Sequence, residues 1–79
     1  MKILVKLHAR AADLAGTGEC AVEVADGASC ADVKDALAAS APALAGLLAS
    51  SVLATDSEYL HDSSPADARL HFIPPVSGG

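Results

Sequence analysis

The sequence predicts a single α+β domain, on three observations. Two segments near its ends, residues 2–8 (KILVKLH) and 69–73 (RLHFI), alternate apolar and polar residues, the period of a strand with one buried face. Between them, residues 29–40 (SCADVKDALAAS) carry apolar residues at helical spacing. The chain has 79 residues, 52% of them hydrophobic, which is enough for one small core. One main helix covering one face of a mixed sheet of four to five strands is the simplest packing of these parts.

In residues 2–8, Ile3, Val5 and Leu7 point one way, and Lys2, Leu4, Lys6 and His8 the other. ARAADLAGTG follows, and its Gly16 and Gly18 read as a turn region. ECAVEV, residues 19–24, alternates again, with Cys20, Val22 and Val24 facing inward. The two strands form a hairpin with a long loop. Asp26-Gly27 marks a turn. Ser29, with Asp32 three positions on, is a helix start of the capping-box kind. Cys30, Val33 and Leu37 then form the apolar stripe.

Pro42 ends that helix or opens a short turn through Leu44, Leu47 and Leu48. SVLAT, residues 51–55, reads as a short strand, Asp56-Ser57 as a turn, and EYLH, residues 58–61, as a shorter strand. Residues 62–68, rich in small and polar side chains around Pro65, read as a loop. In 69–73, Leu70 and Phe72 face inward, and Arg69, His71 and Ile73 outward. The core rests on few large residues: Ile3, Val5, Leu7, Val22, Val24, Leu37, Leu70 and Phe72. The first and last strands are expected side by side at the sheet centre. The domain is residues 1–73, and 74–79 form an extended tail.

Composition excludes several functions. The formal net charge is −5, with no Lys/Arg cluster, which argues against nucleic acid and anionic membranes. Lys2 and Lys6 break the first apolar run, so it does not read as a secretion signal, and a cytoplasmic setting is expected. Cys20 and Cys30 match no CxxC or zinc spacing and read as reduced, small apolar residues. Cys30 lies at a helix start, where a thiol pKa can fall. His8, His61 and His71 read as solvated histidines rather than metal ligands, although His8 and His71 fall on one sheet face. Asp32 and Asp35 read as a solvated helix face, and no nucleophile–base pair is visible.

The chemistry is concentrated in FIPPVSGG, residues 72–79. Pro74 and Pro75 fix φ and lack an amide hydrogen, so the sheet ladder stops and the chain leaves stiff and extended. Six residues after Ile73 reach about 20 Å when extended. Without Cβ atoms, Gly78 and Gly79 can enter a tunnel that no side chain could. A carboxylate delivered there becomes a useful acyl donor once another enzyme adenylates it with ATP. Sulfide then displaces AMP to leave a thiocarboxylate, or an amine gives an isopeptide.

FIPPVSGG resembles the C-terminal signature of the MoaD/ThiS family of ubiquitin-like sulfur carriers. MKILVKLHARAADLAG is similar to that family's first strand and Leu-Ala-Gly turn. The Phe-x-Pro-Pro-Val-x-Gly-Gly form is most similar to the branch that serves molybdopterin synthase. The resemblance implies a β-grasp fold. It also implies that the Gly79 carboxylate is adenylated and thiocarboxylated, Gly78 giving narrow passage. It further implies that sulfur passes to a pyranopterin precursor of the molybdenum cofactor.

The chain would then hold no cofactor and no catalytic side chain of its own, acting as the small subunit of a sulfurtransferase. ATP would be consumed by the partner. Implied partners are a molybdopterin synthase large subunit (MoaE-like), an adenylating enzyme (MoeB-like) and a sulfur donor. Docking would fall to His8, Tyr59 and Ile73 on the exposed sheet face, and to Pro74, Pro75, Val76 and Ser77 in the tail. The family often has an aromatic residue where this chain has His8, and its loop before the last strand is longer than SPADAR. Two alternatives stay open. One is a carrier for thiamine, cysteine or tRNA thiolation. The other is a ubiquitin-like protein modifier or binding module.

Overall fold

A computed structural model describes residues 1–74. In chain order the elements are β1 (Lys2–Leu7), α1 (Arg10–Ala15), β2 (Glu19–Glu23) and α2 (Cys30–Ser40). A 3₁₀ turn (Pro42–Leu44), α3 (Ala45–Leu48), β3 (Val52–Ala54), β4 (Tyr59–Leu60) and β5 (Arg69–Ile73) follow. The five strands form one sheet in the order β2-β1-β5-β3-β4. β1 and β5 pair in parallel, and the other neighbours are antiparallel. This is the β-grasp arrangement, with the two end strands adjacent and α2 across the inner face.

Alternation placed the faces correctly. Ile3, Val5 and Leu7 of β1, Val22 of β2, and Leu70 and Phe72 of β5 are buried. They meet Val33 and Leu37 of α2, Cys30 at its start, and Leu44 and Leu53. Val24, expected in the core, is only half-buried. It lies one residue beyond β2 and so falls at the margin of the packed face.

Residues 9–18 hold a short helix rather than only a turn. α1 buries Ala11 against the core. Gly16, at φ 73, closes it with its N–H donating to the Ala12 carbonyl. Gly16 therefore acts as a helix C-cap, which needs the left-handed conformation that glycine adopts freely.

The N-terminus of α2 is fully partnered. Asp32 N–H donates to Ser29 Oγ at 3.3 Å, and Ser29 N–H donates to Asp32 Oδ2 at 3.0 Å. The next two amides, of Cys30 and Ala31, donate to the Ser64 and Asp62 carbonyls, each at 2.9 Å. The 61–68 loop thus caps α2 and sits at the start of β5, opposite the end from which the tail departs. Lys34 ties the same loop to β3. Its ammonium donates to the Ser51 carbonyl and pairs with Asp62, both at 2.8 Å.

Replacing Ser29 with alanine is expected to lower stability by about 1 kcal/mol, since one helix-end donor loses its partner. A urea titration should show a lower midpoint with an unchanged slope. No described helix is long and apolar enough to cross a membrane.

Candidate functional site

β5 carries the chain from the core to the exit of the tail. Leu70 and Phe72 anchor it inward, while His71 and Ile73 turn to the outer sheet face. Register then decides which side chains gather where β5 ends. Leu7 pairs with Phe72, so His8, the next residue, falls beside Ile73. On the other side, Val52 pairs with Ile73, and Ala54 pairs with both His71 and Tyr59. His8, Tyr59 and Ile73 therefore share one face; alternation implied this for His8 and Ile73, and the β3–β4 register adds Tyr59.

Two open grooves shape this face. One, of about 680 Å³, is lined by His8, Ala54, His71, Tyr59, Ile73 and the 55–58 turn. The other, of about 430 Å³, is lined by Val52, Tyr59, Leu60, Ile73 and Pro74, with Ser50 and His61 at its margin. Tyr59 and Ile73 line both. Tyr59 is 73% exposed and Val52 37%, high for large apolar side chains on a small domain. Pro74 lines the second groove, which places the first tail residue on this face. Pro75, Val76, Ser77, Gly78 and Gly79 lie outside the described residues.

The face also carries a hydrogen-bonded chain that the sequence did not reveal as a unit. His8 Nε2 lies 2.8 Å from His71 Nδ1, and His71 Nε2 lies 2.7 Å from Asp56 Oδ1. The two ring centroids are 5.1 Å apart with planes inclined by 28°. That separation is the nitrogen–nitrogen distance plus one ring radius on each side. The rings therefore meet end to end through an N–H···N bond and are not stacked. Hydrogen bonding from His71, followed by its charge, holds the Asp56 carboxyl below the usual carboxylate range.

His8 and His71 were visible as outward-facing residues, but Asp56 read only as part of a turn. Val52 was missed as well, although Leu53 facing inward implies that its neighbour faces out. Among the described residues no group of three or more His, Cys, Asp or Glu side chains could hold a metal ion. The facing His8 and His71 nitrogens are spent on each other. His61 lies apart from them, its backbone N–H donating to Ser64 Oγ at 3.1 Å.

Both cysteines are free. The helix start does not activate Cys30. Burial, and secondarily the charge of Asp62, push its thiol up from the ordinary value. Cys30 is a core residue, 1% exposed.

The sequence pattern of the ThiS family matches residues 5–79. The molybdopterin synthase sulfur carrier subunit of Arabidopsis thaliana is 35% identical over 81 residues, spanning 100% of this chain and 84% of that one. The crystal structure of SAMP1 from Haloferax volcanii superposes with a TM-score of 0.82 at 30% identity, covering 100% of both chains. A second structure from that organism, of small archaeal modifier protein 1, gives 0.82 at 27% identity over 95% of this chain and 98% of that one. A structure from Pyrococcus furiosus shares the fold, with a TM-score of 0.80 at 22% identity over 96% of this chain and 99% of that one.

Proposed function

Because the chain belongs to the ThiS family, we propose that it is a sulfur carrier whose reagent is the carboxylate of Gly79. In this reading that carboxylate attacks the α-phosphorus of ATP in an adenylating enzyme of the MoeB kind, and pyrophosphate leaves. Sulfide delivered by a donor then adds to the acyl-adenylate carbonyl, AMP departs, and a thiocarboxylate remains. Inserted into a molybdopterin synthase large subunit, the thiocarboxylate gives its sulfur to a pyranopterin precursor of the molybdenum cofactor. Water cleaves the acyl–sulfur bond, and Gly79 returns as a carboxylate.

The chain's own contribution is delivery. Phe72, buried in the core, fixes where β5 ends. Pro74 and Pro75 have no amide hydrogen of their own to donate to a sheet ladder. Gly78 and Gly79 present no Cβ to a narrow passage. The face around Ile73 supplies contact area next to the departing tail, and Tyr59 is its most exposed aromatic anchor. The observation that carries the reading is the family match, which runs through FIPPVSGG to residue 79.

The docking part is tested by Ile73→Asp. Ile73 faces outward and is partly exposed, so the variant is expected to fold. Its affinity for the adenylating enzyme or the large subunit should fall by about tenfold or more, the loss typical of a central apolar contact. Unchanged capture of either partner would remove this face from the docking surface.

The full-length likeness to SAMP1 supports a second reading, a protein modifier. There the activated Gly79 is attacked by a lysine amine and forms an isopeptide. Conjugates of raised mass that disappear when Gly79 is deleted would favour that reading. A thiocarboxylate consumed by the large subunit would favour the first.

A further inference from the structure

We propose that His8, His71 and Asp56 form a proton-sharing chain that makes the face beside the tail sensitive to pH. With both rings neutral, counting hydrogens fixes the direction of each bond. The Asp56 carboxylate can only accept, so its 2.7 Å contact requires the hydrogen on His71 Nε2. A neutral imidazole carries one N–H, so His71 Nδ1 is bare. The 2.8 Å contact to His8 then requires His8 Nε2 to donate. His8 Nδ1 is left without a hydrogen, on an exposed ring at the rim of the first groove.

One proton can join this chain without breaking it. It enters at His8 Nδ1. Transfer of the bridging hydrogen from His8 Nε2 to His71 Nδ1 then moves the positive charge onto the ring that touches Asp56. The nitrogen–nitrogen contact survives with donor and acceptor exchanged. A second proton has no such place. It would put hydrogens on both facing nitrogens and two positive rings end to end, so the contact must open. The two histidines therefore take up protons as a pair, in two separated steps. The second step frees His8 from His71 beside Ile73 and Tyr59 and reshapes the groove they line.

The surroundings do not cancel this behaviour. Lys6 of β1 and Arg69 of β5 border His71 and oppose added positive charge. Glu19 of β2, Asp67 of the 61–68 loop and Glu58 of the 55–58 turn favour it, and Tyr59 of β4 is neutral. Among the described residues, Asp56 alone of the acids is hydrogen-bonded to either ring. The link to docking rests on the functional reading above, whereas the proton-sharing chain itself does not.

Long-range ¹H–¹⁵N NMR on the labelled full chain, titrated from mildly alkaline to mildly acidic pH, tests it without a partner. Both His8 and His71 should begin as Nε2–H tautomers. His8 and His71 should change protonation together and in two steps. His71→Ala should collapse the His8 response to one step. Asp56→Asn, at an exposed position, should shift the first step to lower pH. Mixed tautomers with coincident single steps, or an Asp56→Asn variant that moves neither ring, would overturn the proposal. Two steps in a chain that binds no adenylating enzyme at any pH would uphold it and count against the docking reading.

Discussion

Phe72→Ala is expected to lower stability by about 3–5 kcal/mol, the cost of removing a buried aromatic side chain and leaving a cavity. The chain has one phenylalanine, and it is fully buried in the middle strand of the sheet. Its backbone register locks Leu7 on one side and Leu53 on the other. The space it leaves would be bordered by branched side chains fixed in strands and in α2, which collapse poorly into a void. A domain of 79 residues has a total stability of roughly 4–12 kcal/mol at ordinary values per residue. The variant should therefore lose a large fraction of its stability. Urea denaturation followed by circular dichroism would reveal this, and an unchanged midpoint would contradict the packing described.

Gly78→Val is expected to behave in the opposite way, with the fold intact and delivery impaired. Valine adds a branched Cβ at the position proposed to thread a narrow passage, and it restricts the backbone there. Displacement of a reacting group by about 1 Å can cost on the order of 10²-fold in rate. Activation of Gly79 should slow by at least that factor, while thermal unfolding stays at the parent temperature. Activation at the parent rate would show that the passage tolerates side chains and would leave Gly78 without its proposed role.

The contrast between these variants follows from what the residues state locally and what only the fold brings together. Residues 2–7 and 69–73 alternate without interruption, so their inward faces could be read directly. Ser29 and Asp32 announce the start of α2 because capping chemistry is local. α1 was hidden because its alanines carry no apolar period and because Gly16 is equally a turn residue and a helix C-cap. Val24 continues the alternation of β2 but outlasts the sheet, so period alone overstated its burial.

The outer face was legible in outline, since Ile73 and His71 sit at odd steps from Phe72. Its hydrogen-bonded chain was not. His8 and His71 are 63 positions apart and meet only through the parallel β1–β5 pairing. Asp56 reaches His71 from a turn that β3 positions beside β5. The departure from the family at the loop before β5 also gains a place. That loop caps α2 at the end of the domain away from the tail.

Whether Gly79 carries the chemistry is decided by the intact mass of the purified chain. The measurement is made before and after incubation with ATP, an adenylating enzyme of the MoeB kind proven active on its own carrier, and a sulfide donor. The expected result is a gain equal to replacing one oxygen by one sulfur, absent from a chain lacking Gly79 that unfolds at the parent temperature. No gain in the intact chain, or the same gain without Gly79, would contradict it.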